Sequence, residues 1–179
     1  MSQIKRINQV EQSRLEVYKA LLKLMKIQPF ESISYRNISD ESHLSRQTLY
    51  RHFDKKEDIF HWYITRVFNE FLKRVNSSPP SNRDNVRSAF KFCDENSELL
   101  ELLVKHNLQH LFLKRVEEFA SIILKKYYIS GESSTSLYKE KYFAGGFYLM
   151  IITWISNGKR ESIPVMEELL LELISTVLY

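Results

Sequence analysis

The stretch Leu44-Ser45-Arg46-Gln47-Thr48-Leu49-Tyr50-Arg51-His52-Phe53-Asp54-Lys55-Lys56-Glu57-Asp58-Ile59 decides the fold. Ser45 stands ahead of a short run free of helix breakers, which is how a helix N-cap reads. Leu49 and Phe53 are four apart and share one helix face. That face turns inward, with Leu44 and Ile38 as its partners. Arg46, Gln47, Thr48, Tyr50 and Arg51 are left pointing largely outward. Glu57 and Asp58 then open a second helix, where acids suit the positive end of the dipole.

Working outward, residues 35–42 form another short unit, with Ser34 as its N-cap and Ile38 as its inward residue. Only a few residues separate it from the helix that begins at Arg46, so the two must cross steeply. This is the helix-turn-helix pattern. Before it, Val17, Leu21 and Leu24 with Ala20 predict an amphipathic helix over 11–27 that ends at Pro29. After it, Ile59, Tyr63, Val67, Phe71 and Val75 recur every fourth residue and predict a long helix over 56–76 with that stripe inward. Further helices are expected at about 83–95, 97–106, 109–128, 135–156 and 163–178. Asn157-Gly158 ends the fourth of these as a C-terminal cap. Residues 77–82 (Ser-Ser-Pro-Pro-Ser-Asn) and 130–134 read as linkers. The expected fold is all-α, with about nine helices. A helix-turn-helix domain spans 1–60, and a helical effector-binding and dimerisation domain spans 61–179.

Composition agrees. The chain has 179 residues, 44% apolar and 27% charged, with only 4 Gly and 4 Pro. That is ordinary for a globular protein and poor in the turn residues an all-β fold uses. A single cysteine, Cys93, excludes an internal disulfide framework and a thiolate metal cluster within one chain, and it fits a reducing cytoplasm. The N-terminus lacks the apolar core of a signal peptide, and no apolar run reaches the ~18 residues of a membrane span. The net charge of +4 is a weak pointer to nucleic acid taken alone. Its distribution says more, because residues 131–179 carry more acids than bases while the front of the chain is basic.

The basic front carries the chemistry. Arg pairs with guanine and Gln with adenine through paired hydrogen bonds, and Thr48 can meet a thymine methyl or a phosphate. All three lie at the N-terminal end of the short helix, the end that enters the major groove in this motif. Tyr50, His52 and Lys56 are better placed for phosphates, and Ser34 and Arg36 could hold the backbone from the other short helix. With Ser45 and Arg51 these complete the candidate DNA-contact set. The plainer reading, a solvated helix face, weakens as basic and hydroxyl groups cluster in one bihelical unit.

Residues 17–60, and above all Leu44 to Ile59, resemble the DNA-binding domain of TetR-family transcriptional regulators. Asn37-Ile38 corresponds to that family's acidic or amide residue before Ile. The resemblance implies that Arg46, Gln47 and Thr48 face bases and that Tyr50, His52 and Lys56 hold phosphates. Ser39, Ser42 and His43 stand where the family usually has Ala, Ala and Gly, and Pro29 where Gly is common before the aromatic Phe30. His43 then falls at a turn position that often needs positive φ, and it reads as a turn residue, not a ligand.

Residues 96–100, His110-Leu111-Phe112, Phe143 to Gly146 and Trp154 to Gly158 resemble the subgroup related to the activator of the dihydroxyacetone kinase operon. The resemblance implies that the last two helices pair with a twofold mate as a four-helix bundle. Ala144, Gly145 and Gly146 permit close helix approach, and Val165, Leu169, Leu173 and Val177 belong to a wide apolar face that a homodimer would cover. Trp62, Phe90, Cys93, Phe112, Phe119, Phe147, Met150 and Trp154 are candidates for an effector pocket between the long helices, though each also reads as plain core.

His106 and His110 are four apart, which on one helix face would suit a metal, with Glu117 or Cys93 to complete the site. Two histidines fall short of a full set, and the plainer reading has one packed and one solvated. No His-Glu-x-x-His, Gly-x-Ser-x-Gly or P-loop pattern occurs, so neither an enzyme nor a cofactor is expected. The expected function is a homodimeric regulator, a repressor first, binding a palindromic double-stranded operator under control of a small-molecule effector, with no membrane partner; the alternatives are an activator working with a protein or small-molecule coactivator, or a metal-sensing regulator using His106 and His110.

Overall fold

The structure is a computed structural model and describes residues 3–76, 82–127 and 135–178. Both expected linkers fall in the intervals outside these, apart from Asn82, which begins a helix. Among the described residues there are nine α-helices, one short 3-10 turn and no strand: α1 (Gln3–Ile27), the 3-10 turn (Phe30–Ser32), α2 (Tyr35–Ser42), α3 (Arg46–His52), α4 (Lys56–Asn76), α5 (Asn82–Glu95), α6 (Ser97–Lys105), α7 (His110–Tyr127), α8 (Ser136–Ser156) and α9 (Ile163–Leu178). The chain forms two compact units, Met1–Val67 and Phe68–Tyr179, with the boundary inside α4.

In the first unit, α1 runs eight residues further toward the N-terminus than its apolar pattern reaches. Residues 5–9 are exposed. Periodicity reports burial, whereas helix continues wherever no breaker stops it. Val17, Leu21 and Met25 of α1, Ile38 of α2, Leu49 of α3 and Ile59, Phe60 and Ile64 of α4 are fully buried, with Phe30, Ile33 and Phe53 from the connections.

The buried stripe of α4 is Phe60, Ile64, Phe68, Phe71 and Val75, not the strict four-residue series through Tyr63 and Val67, which are half-buried. A step of four residues turns about 40° past a full circle. A straight stripe therefore alternates steps of four and three. Tyr63 instead stacks flat on Tyr18, with ring centres 3.5 Å apart.

The second unit packs α7 against α8 and α5 against α9 around an aromatic core. Phe71 lies 4.9 Å from Phe92 and 5.3 Å from Phe119, and Phe90 meets both Phe147 and Trp154 edge-on at 5.8 Å. Such offset and edge contacts add about 0.5–1.5 kcal/mol each beyond burial.

Two helix ends are closed in one way. After α6, Asn107 is left-handed (φ 57). Its N–H reaches Val104 O at 3.1 Å, and Leu108 N–H reaches Leu103 O at 2.7 Å. After α8, Gly158 is left-handed (φ 73), and Gly158 and Lys159 donate to Ile155 O and Trp154 O at 3.0 and 2.9 Å. Both are Schellman caps, which satisfy carbonyls the helix leaves open.

Candidate nucleic-acid interface

Two serines set the two short helices. Ser34 Oγ accepts from Asn37 N–H at 3.2 Å and Asn37 Oδ1 accepts from Ser34 N–H at 2.9 Å, a reciprocal capping box. Ser45 Oγ accepts from Thr48 N–H at 3.1 Å and lies 3.0 Å from Thr48 Oγ1. Ser34, Ser45 and Thr48 thus have hydroxyls engaged in holding helix starts, which fixes where α3 begins and which way its first turn faces. Between the helices His43 is left-handed (φ 56, ψ 24), the conformation expected of it. Ser39 Oγ donates to Leu44 O at 2.6 Å and braces the turn.

On α3, Arg46, Gln47, Tyr50 and Arg51 are exposed, and Thr48 is half-buried beside them. Arg36 is exposed on α2, with only a loose 3.9 Å ion pair to Asp40. The Tyr50 ring is stacked on Tyr35 with centres 4.5 Å apart, and the Tyr35 hydroxyl donates to Phe53 O at 3.0 Å. Burial first, then Asp58, Tyr50, Asp54 and Glu57, push the Tyr35 hydroxyl pKa up to about 12, so it stays a donor. Sequence reading missed Tyr35. Its one signal was an aromatic residue at the first position of a short polar helix.

Lys56 and His52 are held differently from the others. Lys56 Nζ donates to Phe30 O and Ile33 O, both at 2.6 Å, and lies 4.4 Å from the centre of the Phe30 ring. In this conformation it ties the start of α4 to the 3-10 turn, and burial lowers its pKa from the ordinary lysine value. His52 is half-buried, and its Nε2 has no hydrogen-bond partner. Burial first, then Arg14 and Arg51, lower its pKa from the ordinary histidine value, against a smaller opposing effect of Glu11. His52 is therefore neutral at neutral pH. The recess it borders also takes in Arg14, Arg51, Asp54 and Trp62.

The expected effector residues divide. Trp62 belongs to the first unit, where its ring meets Phe53 edge-on at 6.1 Å. Phe90, Cys93, Phe112, Phe119, Phe147 and Trp154 are all buried in the second unit. Four of the six, Cys93, Phe112, Phe119 and Phe147, line a space of about 10 Å³, room for about one water, and Phe90 meets Phe147 edge-on. They form closed core in this conformation. Trp154 also donates its indole N–H to Glu161 O at 2.9 Å, which anchors the turn before α9. Burial raises the Cys93 thiol pKa far above the ordinary range. Met150 is half-buried in a groove between α8 and α9.

The expected pairing residues divide too. Val165, Leu169 and Leu173 are 53%, 42% and 43% exposed, while Met166, Leu170 and Ile174 of the same helix are buried. The space beside Gly145 and Gly146 is open. Ala144 is buried within its own unit and is not on the open face, because it lies on the side of α8 turned inward. The Val177 side chain lies outside the described residues.

The two histidines stand apart, one packed and one solvated. His106 ends α6 and is buried, whereas His110 begins α7 and is exposed. The left-handed Asn107 breaks the helix between them, so they do not share a face. Among the described residues no group of three or more His, Cys, Asp or Glu could hold a metal ion.

Comparison with known proteins follows the same division. Residues 17–62 match the model of bacterial regulatory proteins of the tetR family, and residues 81–176 match that of a transcriptional regulator C-terminal region. The chain belongs to the tetR family of bacterial regulatory proteins. As a TetR-family protein it is a DNA-binding transcriptional regulator and not an enzyme. One curated relative, the HTH-type dhaKLM operon transcriptional activator DhaS of Lactococcus lactis subsp. lactis (strain IL1403), is 24% identical over 110 residues, spanning 60% of this chain and 58% of that one. Among solved structures, Lin0861 from Listeria innocua covers 94% of this chain and 92% of its own, with a TM-score of 0.74 and 18% identity. The dihydroxyacetone kinase operon activator DhaS covers 93% and 96%, with a TM-score of 0.64 and 19% identity. Among the described residues no helix is long and apolar enough to cross a membrane.

Proposed function

We propose that this TetR-family regulator binds a palindromic operator as a homodimer, with α3 of each copy in the major groove. The observation that carries this is the exposed set Arg46, Gln47, Tyr50 and Arg51 on a helix whose start is held by Ser45. Arg46 and Gln47 at the N-terminal end read bases. Tyr50, steadied by Tyr35, and Arg51 with Arg36 take phosphates. Ser34, Ser45 and Thr48 serve first as positioning residues, and Lys56 joins them by holding α4 to the 3-10 turn.

Pairing uses the outer stripe of α8 and α9, where Leu149, Val165, Leu169 and Leu173 stand exposed. A small-molecule effector acts through the second unit by favouring one separation of the two reading helices. Operator and effector are then thermodynamically coupled. Repression is the primary reading. Activation, with a protein or small-molecule coactivator, is the second, favoured by the name of the curated relative, an operon transcriptional activator. The chain falls with the subgroup related to that activator.

The test is binding to the DNA upstream of the protein's own gene across a range of salt. Arg46→Ala costs about 1–3 kcal/mol, or 5- to 150-fold in affinity, and relaxes preference at one base pair. Arg51→Ala weakens all sequences alike and lowers the slope of log affinity against log salt by about one. Unchanged affinity in both variants overturns the reading.

A further inference from the structure

We propose that the second unit contains a small-molecule site whose polar anchor is Asn85. This deepens the regulator reading by giving its effector a place and a chemistry.

Asn85 stands on the inner face of α5, in the series Val86, Ala89, Phe90 and Cys93 that is otherwise apolar and buried. It is 1% exposed. Neither its Oδ1 nor its Nδ2 has a hydrogen-bond partner. A buried amide without partners is costly, and an Asn inside a helix is also a poor helix former. A leucine would serve a plain core better at both levels.

Asn85 lines a space of about 10 Å³ whose other walls are apolar, chiefly Phe119, Phe143, Phe147, Leu170 and Ile174. Four of these, Phe143, Phe147, Leu170 and Ile174, are also walls of the α8–α9 groove, about 440 Å³ in volume. Phe143 is half-buried and lies parallel to Phe147 with ring centres 6.3 Å apart. Rotation of the Phe143 ring joins the small space to the groove. A pocket of that combined size suits a small organic molecule.

The chemistry of the ligand follows from the walls. An amide presents a donor edge and an acceptor edge side by side. The matching group is another carboxamide-like edge, which forms two hydrogen bonds with it. A bare carboxylate is disfavoured, because the nearest guanidiniums on α5, Arg83 and Arg87, are already engaged by Glu167 and Glu168. The site therefore takes an uncharged ligand with an aromatic or branched aliphatic body and one carboxamide-like edge. Such a ligand sits directly beneath the groove at which the two copies are proposed to pair, so its binding shifts the pairing surface.

The experiment uses the full chain without DNA, with benzamide as the probe and toluene as a probe of similar shape lacking the amide. Benzamide is expected to raise the Tm of the native protein in a concentration-dependent way and to shift the Asn85 side-chain amide resonances. Asn85→Leu abolishes that response and, without probe, raises Tm by about 2–4 °C, the change expected for roughly one lost desolvation penalty in a chain of this size. Phe143→Ala, which removes the ring between space and groove, strengthens benzamide binding several-fold. Two results overturn the proposal. One is no response to benzamide in either the native or the Phe143→Ala protein. The other is a response that toluene matches or that Asn85→Leu retains. Operator affinity of Asn85→Leu without probe is read separately, so loss of the ligand site leaves the DNA-binding reading intact.

Discussion

Glu167 is 1% exposed, yet it is charged and well satisfied. Arg83 Nη1 donates to it at 2.8 Å, and Arg87 donates through Nε at 2.7 Å and Nη2 at 3.1 Å. These bonds join α5 to α9 across some eighty positions of sequence. The hydrogen bonds from Arg87, and then from Arg83, hold the Glu167 carboxyl below the ordinary carboxylate range, against the opposing effect of burial. The native state therefore binds fewer protons than the unfolded chain within the window between the two values. The stabilisation is full above the ordinary Glu value of about 4.3 and is lost as pH falls through the depressed one. Glu167→Gln should flatten this part of the acid limb, so that denaturation curves of native and variant protein converge as pH is lowered. Parallel curves through that window would show that the pair contributes no pH dependence. Nothing in the spacing of Arg83, Arg87 and Glu167 marks them as partners, because a contact between distant helices leaves no local period. The caps are the reverse case. Ser34 and Ser45 act on N–H groups three residues away, so the sequence shows them directly.

At the scale of elements, the turn between α2 and α3 is the sensitive joint. His43 holds φ 56 where a side chain is disfavoured. The left-handed region costs an ordinary L-residue roughly 1–2 kcal/mol, partly offset because glycine loses more entropy on folding. His43→Gly is expected to leave stability level or raise it by up to ~1 kcal/mol, whereas the β-branched His43→Val lowers it by more than ~1 kcal/mol. Chemical denaturation of both variants checks this, and equal effects of Gly and Val would sink the strain argument. The starts of α2, α3 and α4 are legible from Ser34, Ser45 and the acids Glu57 and Asp58. Legibility failed where a feature was not periodic. The 3-10 turn at Phe30–Ser32 is too short for a pattern. The break at Asn107, by contrast, falls in the gap expected between the helices over 97–106 and 109–128, although Asn-Leu carries a weaker stop signal than Asn157-Gly158.

At the scale of the molecule, α9 is apolar on two sides. Met166, Leu170 and Ile174 build the core of the second unit, while Val165, Leu169 and Leu173 face out beside them. A stripe of exposed branched residues next to Leu149 and the open glycines of α8 is a surface that a second copy would cover. Leu169→Glu with Leu173→Glu is expected to turn a dimer into a monomer in sedimentation equilibrium, with operator affinity falling because one reading helix replaces two. A double variant that stays dimeric would place the interface elsewhere. The sequence by itself determined the all-helical class, the helix-turn-helix, the capped start of α3 and the family, because each rests on local spacing, on capping within one turn, or on a motif read in order. Only the tertiary structure decided that Trp62 belongs to the first unit, that Lys56 turns inward, that Ala144 is buried and that His106 and His110 part company. It also decided that Asn85 lies unpaired in apolar core. The physical reason is that burial and pairing between helices depend on which faces meet, and the sequence lists faces without saying what they meet.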